Sequence, residues 1–150
     1  MSDTPIEQFF PIFASTGVPV AFLVPTPTGY GKSIMDATAP VRELFKNAKL
    51  HDYEMQGQGP EHKVMIDSYF VYPDRTRETA ASLYRPVTKK GDPRIWFKDL
   101  KSYCTPCNLL ALIIIENRIY VINLSNPMVS ASLWSKGYVY DILLEAAHKD

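Results

Sequence analysis

The chain has 150 residues, a length that suits one domain with a core of ordinary size. Its formal net charge is zero, so no overall charge bias indicates a nucleic acid, a membrane or an acidic partner, and 46% hydrophobic content is typical of a soluble globular protein. The longest apolar run, residues 109–115, is too short to span a membrane, and the first residues lack a signal peptide's features.

Apolar patterning predicts a mixed set of short elements. In chain order, we expect an amphipathic helix within residues 4–16 that breaks near Pro11, strands at 18–24, 63–72, 80–86, 94–100, 108–115 and 116–125, and helices at 39–50 and from about Tyr138. Residues 116–118 join the last two strands as a tight hairpin. Six or seven strands with two or three helices, without regular alternation, predict a β-rich α+β domain.

The C-terminal residues 138–150 read as an alanine- and leucine-rich helix without a capping signal at its end. We therefore expect a domain over residues 1–137, followed by a helix that serves as a linker into something longer. Cys104 and Cys107 are the only cysteines, too few for a disulfide framework, which favours a reducing cytoplasm.

The stretch "PTPTGYGKS", residues 25–33, raises the question of a phosphate loop. Gly31, Lys32 and Ser33 match the end of a Walker loop, but Thr26 stands where its first glycine belongs. In such a loop the lysine and serine open a helix, whereas Pro40 would interrupt a helix starting here. Three interpretations stay open: a nucleotide hydrolase, a structural turn with an exposed lysine, and an arm that contacts a polynucleotide backbone.

Residues 75–101 concentrate the basic side chains of the chain. Eight basic and three acidic residues give this segment a charge of about +5; the basic ones are Arg75, Arg77, Arg85, Lys89, Lys90, Arg94, Lys98 and Lys101. The turn Thr88–Pro93 lies between two predicted strand ends. A hairpin of this kind suits the DNA major groove, which admits a two-stranded ribbon, although a solvated charged hairpin explains it as well.

The stretches "TGYGKS", "SLYRPVTKKGDPRIWF" and "LLALIIIENRIYVINLS" occur in that order, and residues 20–125 resemble the N-terminal effector domains of certain restriction endonucleases. The nearest resemblance is to the domains that precede MvaI/BcnI-type nuclease domains, and a more distant one is to that of EcoRII. The resemblance implies a DNA-binding pseudobarrel, related to the fold of plant auxin-response factors, that grips duplex DNA with two arms in the major groove. The helix at 138–150 would then lead to a nuclease domain absent from this chain.

We therefore interpret the chain as a sequence-specific double-stranded DNA-binding domain of a type II restriction endonuclease, without catalysis or cofactor of its own and without a membrane role. Mg²⁺ is expected only for an attached nuclease domain. The resemblance places the candidate DNA-binding residues on the two arms, and exposed basic residues extend the set: Thr28, Gly29, Tyr30, Gly31, Lys32 and Ser33; Arg75 and Arg77; Tyr84, Arg85, Lys89, Lys90, Asp92, Arg94 and Lys98. Among them Tyr30, Arg85, Asp92 and Arg94 are the candidates for reading bases.

Other sites compete with this interpretation. Asp52, Glu61 and Lys63 have the residue types of a small Mg²⁺-dependent nuclease, and a charged hairpin could also meet an acidic protein partner. Cys104 and Cys107 form a C-x-x-C pair without a second pair, and the three histidines do not complete a zinc site, so we expect neither redox chemistry nor a metal there.

Overall fold

The computed structural model describes residues 5–147. Its strands are β1 (Ala21–Leu23), β2 (Met35–Asp36), β3 (Val64–Val71), β4 (Thr76–Tyr84), β5 (Arg94–Phe97), β6 (Leu110–Ile115) and β7 (Arg118–Asn123). Its α-helices are α1 (Phe10–Thr16), α2 (Pro27–Lys32), α3 (Ala39–Asn47), α4 (Pro127–Trp134) and α5 (Tyr138–Ala147). Short 3₁₀ turns fill several of the connections.

The seven strands form one curled sheet in the order β1-β6-β7-β3-β4-β5-β2, a half-barrel. Only the β3–β7 pair is parallel, and every other neighbouring pair is antiparallel. The sheet is mixed, and the helices do not alternate regularly with the strands, which confirms the predicted β-rich α+β class. The described residues contain five α-helices, more than the two or three predicted, because α2 and α4 have weak apolar periodicity.

Two apolar cores lie on opposite faces of the sheet. The inner core packs Val41 and Phe45 of α3 into the curl of the sheet, against Phe70 and Phe97. The outer core packs α1, α4 and α5 against β6 and β7, where Ile113 is fully buried. Because both faces of β6 are covered, its run "LALIII" is apolar throughout instead of alternating.

The hairpin predicted at residues 116–118 is confirmed: Ile115 pairs with Arg118, and a two-residue turn joins β6 to β7. Both turn residues, Glu116 and Asn117, have positive φ angles of 52° and 64°. That combination characterises the type I′ turn, whose twist matches that of the flanking strands.

Helix α5 begins at Tyr138, where the sequence predicts it. It buries Val139, Ile142 and Leu143 in the outer core, so residues 138–147 pack as part of the same domain. The last three residues of the predicted linker, 148–150, lie outside the described residues. No helix within residues 5–147 is long and apolar enough to cross a bilayer.

Candidate nucleic-acid interface

The first predicted arm is a short helix, α2, and not an extended loop. Thr26 caps it, since its Oγ1 accepts a hydrogen bond from the Gly29 amide at 3.0 Å. The helix ends at Lys32, and Ser33 follows in the left-handed region with a φ of 57°. In a Walker loop the lysine and serine begin a helix whose amides meet the phosphates. Here they end one, so this segment does not have the geometry of a Walker loop.

Tyr30 anchors α2 to the body of the domain. Its hydroxyl group lies 3.2 Å from the carbonyl oxygen of Lys101 and 2.9 Å from that of Cys104. Its ring meets the Trp96 ring edge-on at 6.4 Å, and the Lys101 ammonium lies 5.6 Å from its centre. The phenol is therefore engaged inside the fold, and the exposed groups of this arm are those of Thr28, Lys32 and Ser33.

Arg85 lies beneath the second arm. Its Nε donates to the carbonyl oxygen of Gly91 at 2.7 Å, and its Nη1 donates to those of Tyr53 and Gln56 at 3.1 Å each. The guanidinium group thus ties three separate chain segments together. It holds the arm in place, and those donors are not available to a base.

The tip of the second arm is a left-handed turn. Lys89, Lys90 and Gly91 have φ angles of 51°, 58° and 69°. Gly91 adopts this conformation without the strain of a side chain, and a Cβ on it would lie 2.6 Å from Nε2 of Gln58, which would have to move. For the two lysines this conformation costs roughly 1–2 kcal/mol each. Both lysine side chains are exposed and form no ion pair within residues 5–147.

Arg94 is bound across the edge of the sheet. Its Nη1 donates to the Asp36 carboxylate on β2, and only 14% of its side chain is exposed. Its own carbonyl oxygen accepts from the Tyr53 hydroxyl at 3.1 Å. This pairing holds β2 against β5, so the predicted base-reading role of Arg94 conflicts with its position.

The remaining basic candidates lie just before β4, in β4 and just after β5. Arg77 donates to Oγ of Ser102 at 2.9 Å and its guanidinium lies 5.2 Å from the Phe70 ring. Arg75 is exposed, 3.4 Å from Asp74 and 4.6 Å from the Tyr72 ring. Lys98 is exposed and, among the described residues, has no ion-pair partner.

The two arms are rooted at opposite ends of β5. The turn of residues 88–92 leads into the strand, and Tyr30 of α2 contacts Trp96 and the segment after it. A four-residue strand is about 13 Å long. The arms thus flank the β2–β5 margin of the half-barrel. Tyr84, at the end of β4, is half-buried, with the Lys63 ammonium 5.3 Å from its ring centre.

The competing metal site is not assembled. Asp52 accepts a hydrogen bond from the Glu54 amide at 2.9 Å and so caps a local turn, while Glu61 lies 4.0 Å from His62. Nowhere in residues 5–147 do three or more histidine, cysteine, aspartate or glutamate side chains gather as a metal would require. Asp52 and Glu61 therefore belong to no such cluster of three or more metal-binding side chains.

The two cysteines are not joined in a disulfide. Cys104 is buried, and desolvation raises the pKa of its thiol to about 12. Cys107 is half-buried in a turn, with a φ of 71°. A thiol with so high a pKa is a poor nucleophile, as thiolates carry the reactivity of cysteine.

Sequence reasoning identified the exposed turn but missed what supports it. Gln58, which packs on Gly91, and the carbonyl oxygens that bind Arg85 carry no sequence signal of their own. The only available hint was the glycine in "KKGDP", a residue typical of left-handed turns. Comparisons of the chain with protein-family models, with curated proteins and with solved structures gave no match.

Proposed function

We propose that this chain is a non-catalytic, sequence-specific double-stranded DNA-binding domain, of the kind that precedes the nuclease domain in certain restriction endonucleases. The observation that carries the proposal is the turn at Lys89 and Lys90. Two exposed ammonium groups stand on a left-handed backbone that Arg85 binds through the carbonyl oxygen of Gly91. Strained backbone persists where the surroundings fix it, and it clusters at binding sites.

Phosphate contacts are assigned to the cations that the fold leaves accessible. They lie on α2, in the β3–β4 connection, on the second arm and directly after β5: Lys32, Arg75, Lys89, Lys90 and Lys98. Lysine ammonium groups bind phosphates as point charges and without sequence preference. Five such contacts give a slope of about −4.5 for log affinity against log salt concentration.

Base reading is assigned to Asp92. Of the four candidate readers, Tyr30, Arg85 and Arg94 are hydrogen-bonded within the fold. Asp92 is exposed, and its carboxylate forms no hydrogen bond or ion pair within residues 5–147. A carboxylate accepts from the N4 amino group of cytosine in the major groove. The domain therefore favours a C·G pair at the position that this turn reaches.

The proposal also includes a cellular location and a cofactor requirement. Free thiols at Cys104 and Cys107 suit a reducing cytoplasm. Binding by side chains and amides needs no cofactor, and Mg²⁺ belongs to the chemistry of a nuclease domain attached to or partnered with this one.

The deciding experiment is selection from a random duplex pool at near-physiological salt, run in parallel for the wild type and Asp92→Asn. The wild type should enrich one short site. Because asparagine pairs with adenine through N6 and N7, the variant should change the preferred base at one position from cytosine to adenine.

The contribution of the lysine charges to affinity is tested on the selected duplex, by measuring binding with fluorescence anisotropy at several salt concentrations. Lys89→Gln combined with Lys90→Gln should reduce the steepness of the salt slope by about 1.8. Lys49→Gln is the matched control, since Lys49 is also exposed with a φ of 58° but lies on a different loop. No enriched site, or an equal loss in the control, would contradict the proposal.

A further inference from the structure

The outer face of the sheet is covered over only part of its width. Strands β1, β6 and β7 and the end of β3 contribute residues to the outer core beneath α1, α4 and α5. Strands β4 and β5 contribute none of the residues in that core. The outward side chains of β3, β4 and β5 therefore lie beyond α1, α4 and α5 and form a sheet face that these three helices leave uncovered, with the Tyr30 ring of α2 against Trp96 at its β5 edge.

The strand register arranges these outward residues in rows. One row is Met65, Ser82 and Trp96, which are partners across the three strands. Met65 is 59% exposed and Trp96 is half-buried. Partners across antiparallel strands point to the same face, and the intervening Ala81 and Leu83 lie in the inner core, so this row points outward.

The next row is Asp67, Ala80 and Lys98. Asp67 pairs with Ala80, and the Lys98 amide donates to the Ala80 carbonyl oxygen at 3.0 Å, which extends the ladder by one residue. Asp67 and Lys98 are both exposed. They stand two strand spacings apart, about 9.6 Å, too far to pair within one chain.

These two rows complement a rotated copy of themselves. Each has a small residue on the central strand and two different residues at its ends. A two-fold axis that lies between two faces and runs along β4 brings Met65 onto the partner's Trp96, and Asp67 onto the partner's Lys98. Sulfur–aromatic contacts and opposite charges are both favourable there, and the small residues Ser82 and Ala80 at the centre let the sheets approach.

We propose that this face is a symmetric homodimer interface, formed by stacking the β3–β5 sheets of two copies. The proposal does not rest on DNA binding, but DNA and a second copy would compete for Lys98, which is also assigned a phosphate contact. Three strands of about five residues span roughly 14 by 17 Å, well below a standard interface, so we expect weak association. Glu78, which pairs with Tyr69 one row further along, would meet its own copy near the axis and oppose association.

Charge exchange tests the proposal without DNA, by sedimentation equilibrium from about 10 µM to about 1 mM protein. Asp67→Lys and Lys98→Asp should each weaken the dimer about tenfold or more, because two attractive pairs become repulsive. The double variant Asp67→Lys with Lys98→Asp should restore association in a single chain. Glu78→Gln should tighten it, and Asp141→Lys, an exposed change on α5, should leave it unchanged.

A monomer across the whole concentration range overturns the proposal. A dimer that both single variants leave intact also overturns it, because such a dimer would use another surface. A double variant that fails to restore the association lost in the single variants overturns it as well. Far-ultraviolet circular dichroism of each variant verifies that the sheet is folded, which keeps a folding defect from imitating a lost interface.

Discussion

Substitution of Arg85 by alanine removes a guanidinium group that donates hydrogen bonds to the carbonyl oxygens of Tyr53, Gln56 and Gly91. Hydrogen bonds from charged donors contribute about 1.5–3 kcal/mol each, and water can replace part of this at a half-buried site. We therefore expect Arg85→Ala to lower the free energy of unfolding by about 3–4 kcal/mol. Arg85→Lys can keep one of the three bonds and should lose about 2 kcal/mol.

Urea unfolding followed by the fluorescence of the two tryptophans measures this loss. Lys90→Ala is the matched control at the tip of the same turn: its side chain is exposed, so its stability should stay within about 0.5 kcal/mol of the wild type. The reasoning fails if Arg85→Ala is as stable as the wild type and yet loses discrimination between the selected and a random duplex. In that case the guanidinium group would contact DNA and not the fold.

Four further predictions address other parts of the molecule. Arg94→Ala and Asp36→Asn should each accelerate amide exchange in β5 and, after correction for stability, weaken binding to selected and random duplexes equally. A loss of binding confined to the selected duplex for Arg94→Ala would restore the predicted base-reading role of Arg94. Tyr103→Phe should lower the free energy of unfolding in urea by about 2–3 kcal/mol, because the buried hydroxyl lies within hydrogen-bond distance of two carbonyl oxygens and accepts a hydrogen bond from the Asn123 amide. Because burial raises the pKa of the Cys104 thiol, the unfolded chain loses this proton from about pH 9, whereas the folded chain loses it only near pH 12. The free energy of unfolding should therefore fall as the pH rises from 9 to 12. The fall should be smaller in Cys104→Ala, which lacks this thiol. In the native protein iodoacetamide should modify Cys107 first, and equal rates at both thiols would contradict the burial of Cys104.

Residue patterns predicted the parts of the fold that depend on neighbours in the chain. The run at 109–115 predicted a buried strand because both of its faces are apolar, and the turn at Glu116 and Asn117 predicted the hairpin that follows. The start of α5 at Tyr138 was likewise visible in its apolar spacing. Each of these elements is fixed by its own sequence together with one adjacent element.

Elements that depend on distant contacts could not be predicted. Strand β2 has two residues and exists because Met35 and Asp36 pair with β5, some 60 positions later. Helix α2 contains two glycines and a weak apolar pattern, and it is stabilised by the Thr26 cap and by Tyr30 reaching the carbonyl oxygens of residues 101 and 104. Neither cause leaves a local signal in the sequence.

The same limit explains why the net charge of residues 75–101 overstated the number of cations that are accessible to a partner. Sequence counting treats arginine and lysine alike, but the fold divides them. Arg77, Arg85 and Arg94 direct their planar guanidinium groups inward, to a serine hydroxyl, to three carbonyl oxygens and to a carboxylate.

Lys89, Lys90 and Lys98 remain exposed at the surface. This division follows from chemistry, since a guanidinium group can satisfy several fixed acceptors at once, whereas an ammonium group is a compact and strongly hydrated charge that costs more to bury. In the proposed DNA complex the lysines would therefore determine how steeply binding responds to salt, whereas Arg85 holds the turn that carries two of them. Exchanging Arg85 for lysine would keep the net charge but lose two of the three hydrogen bonds that hold this turn to the domain.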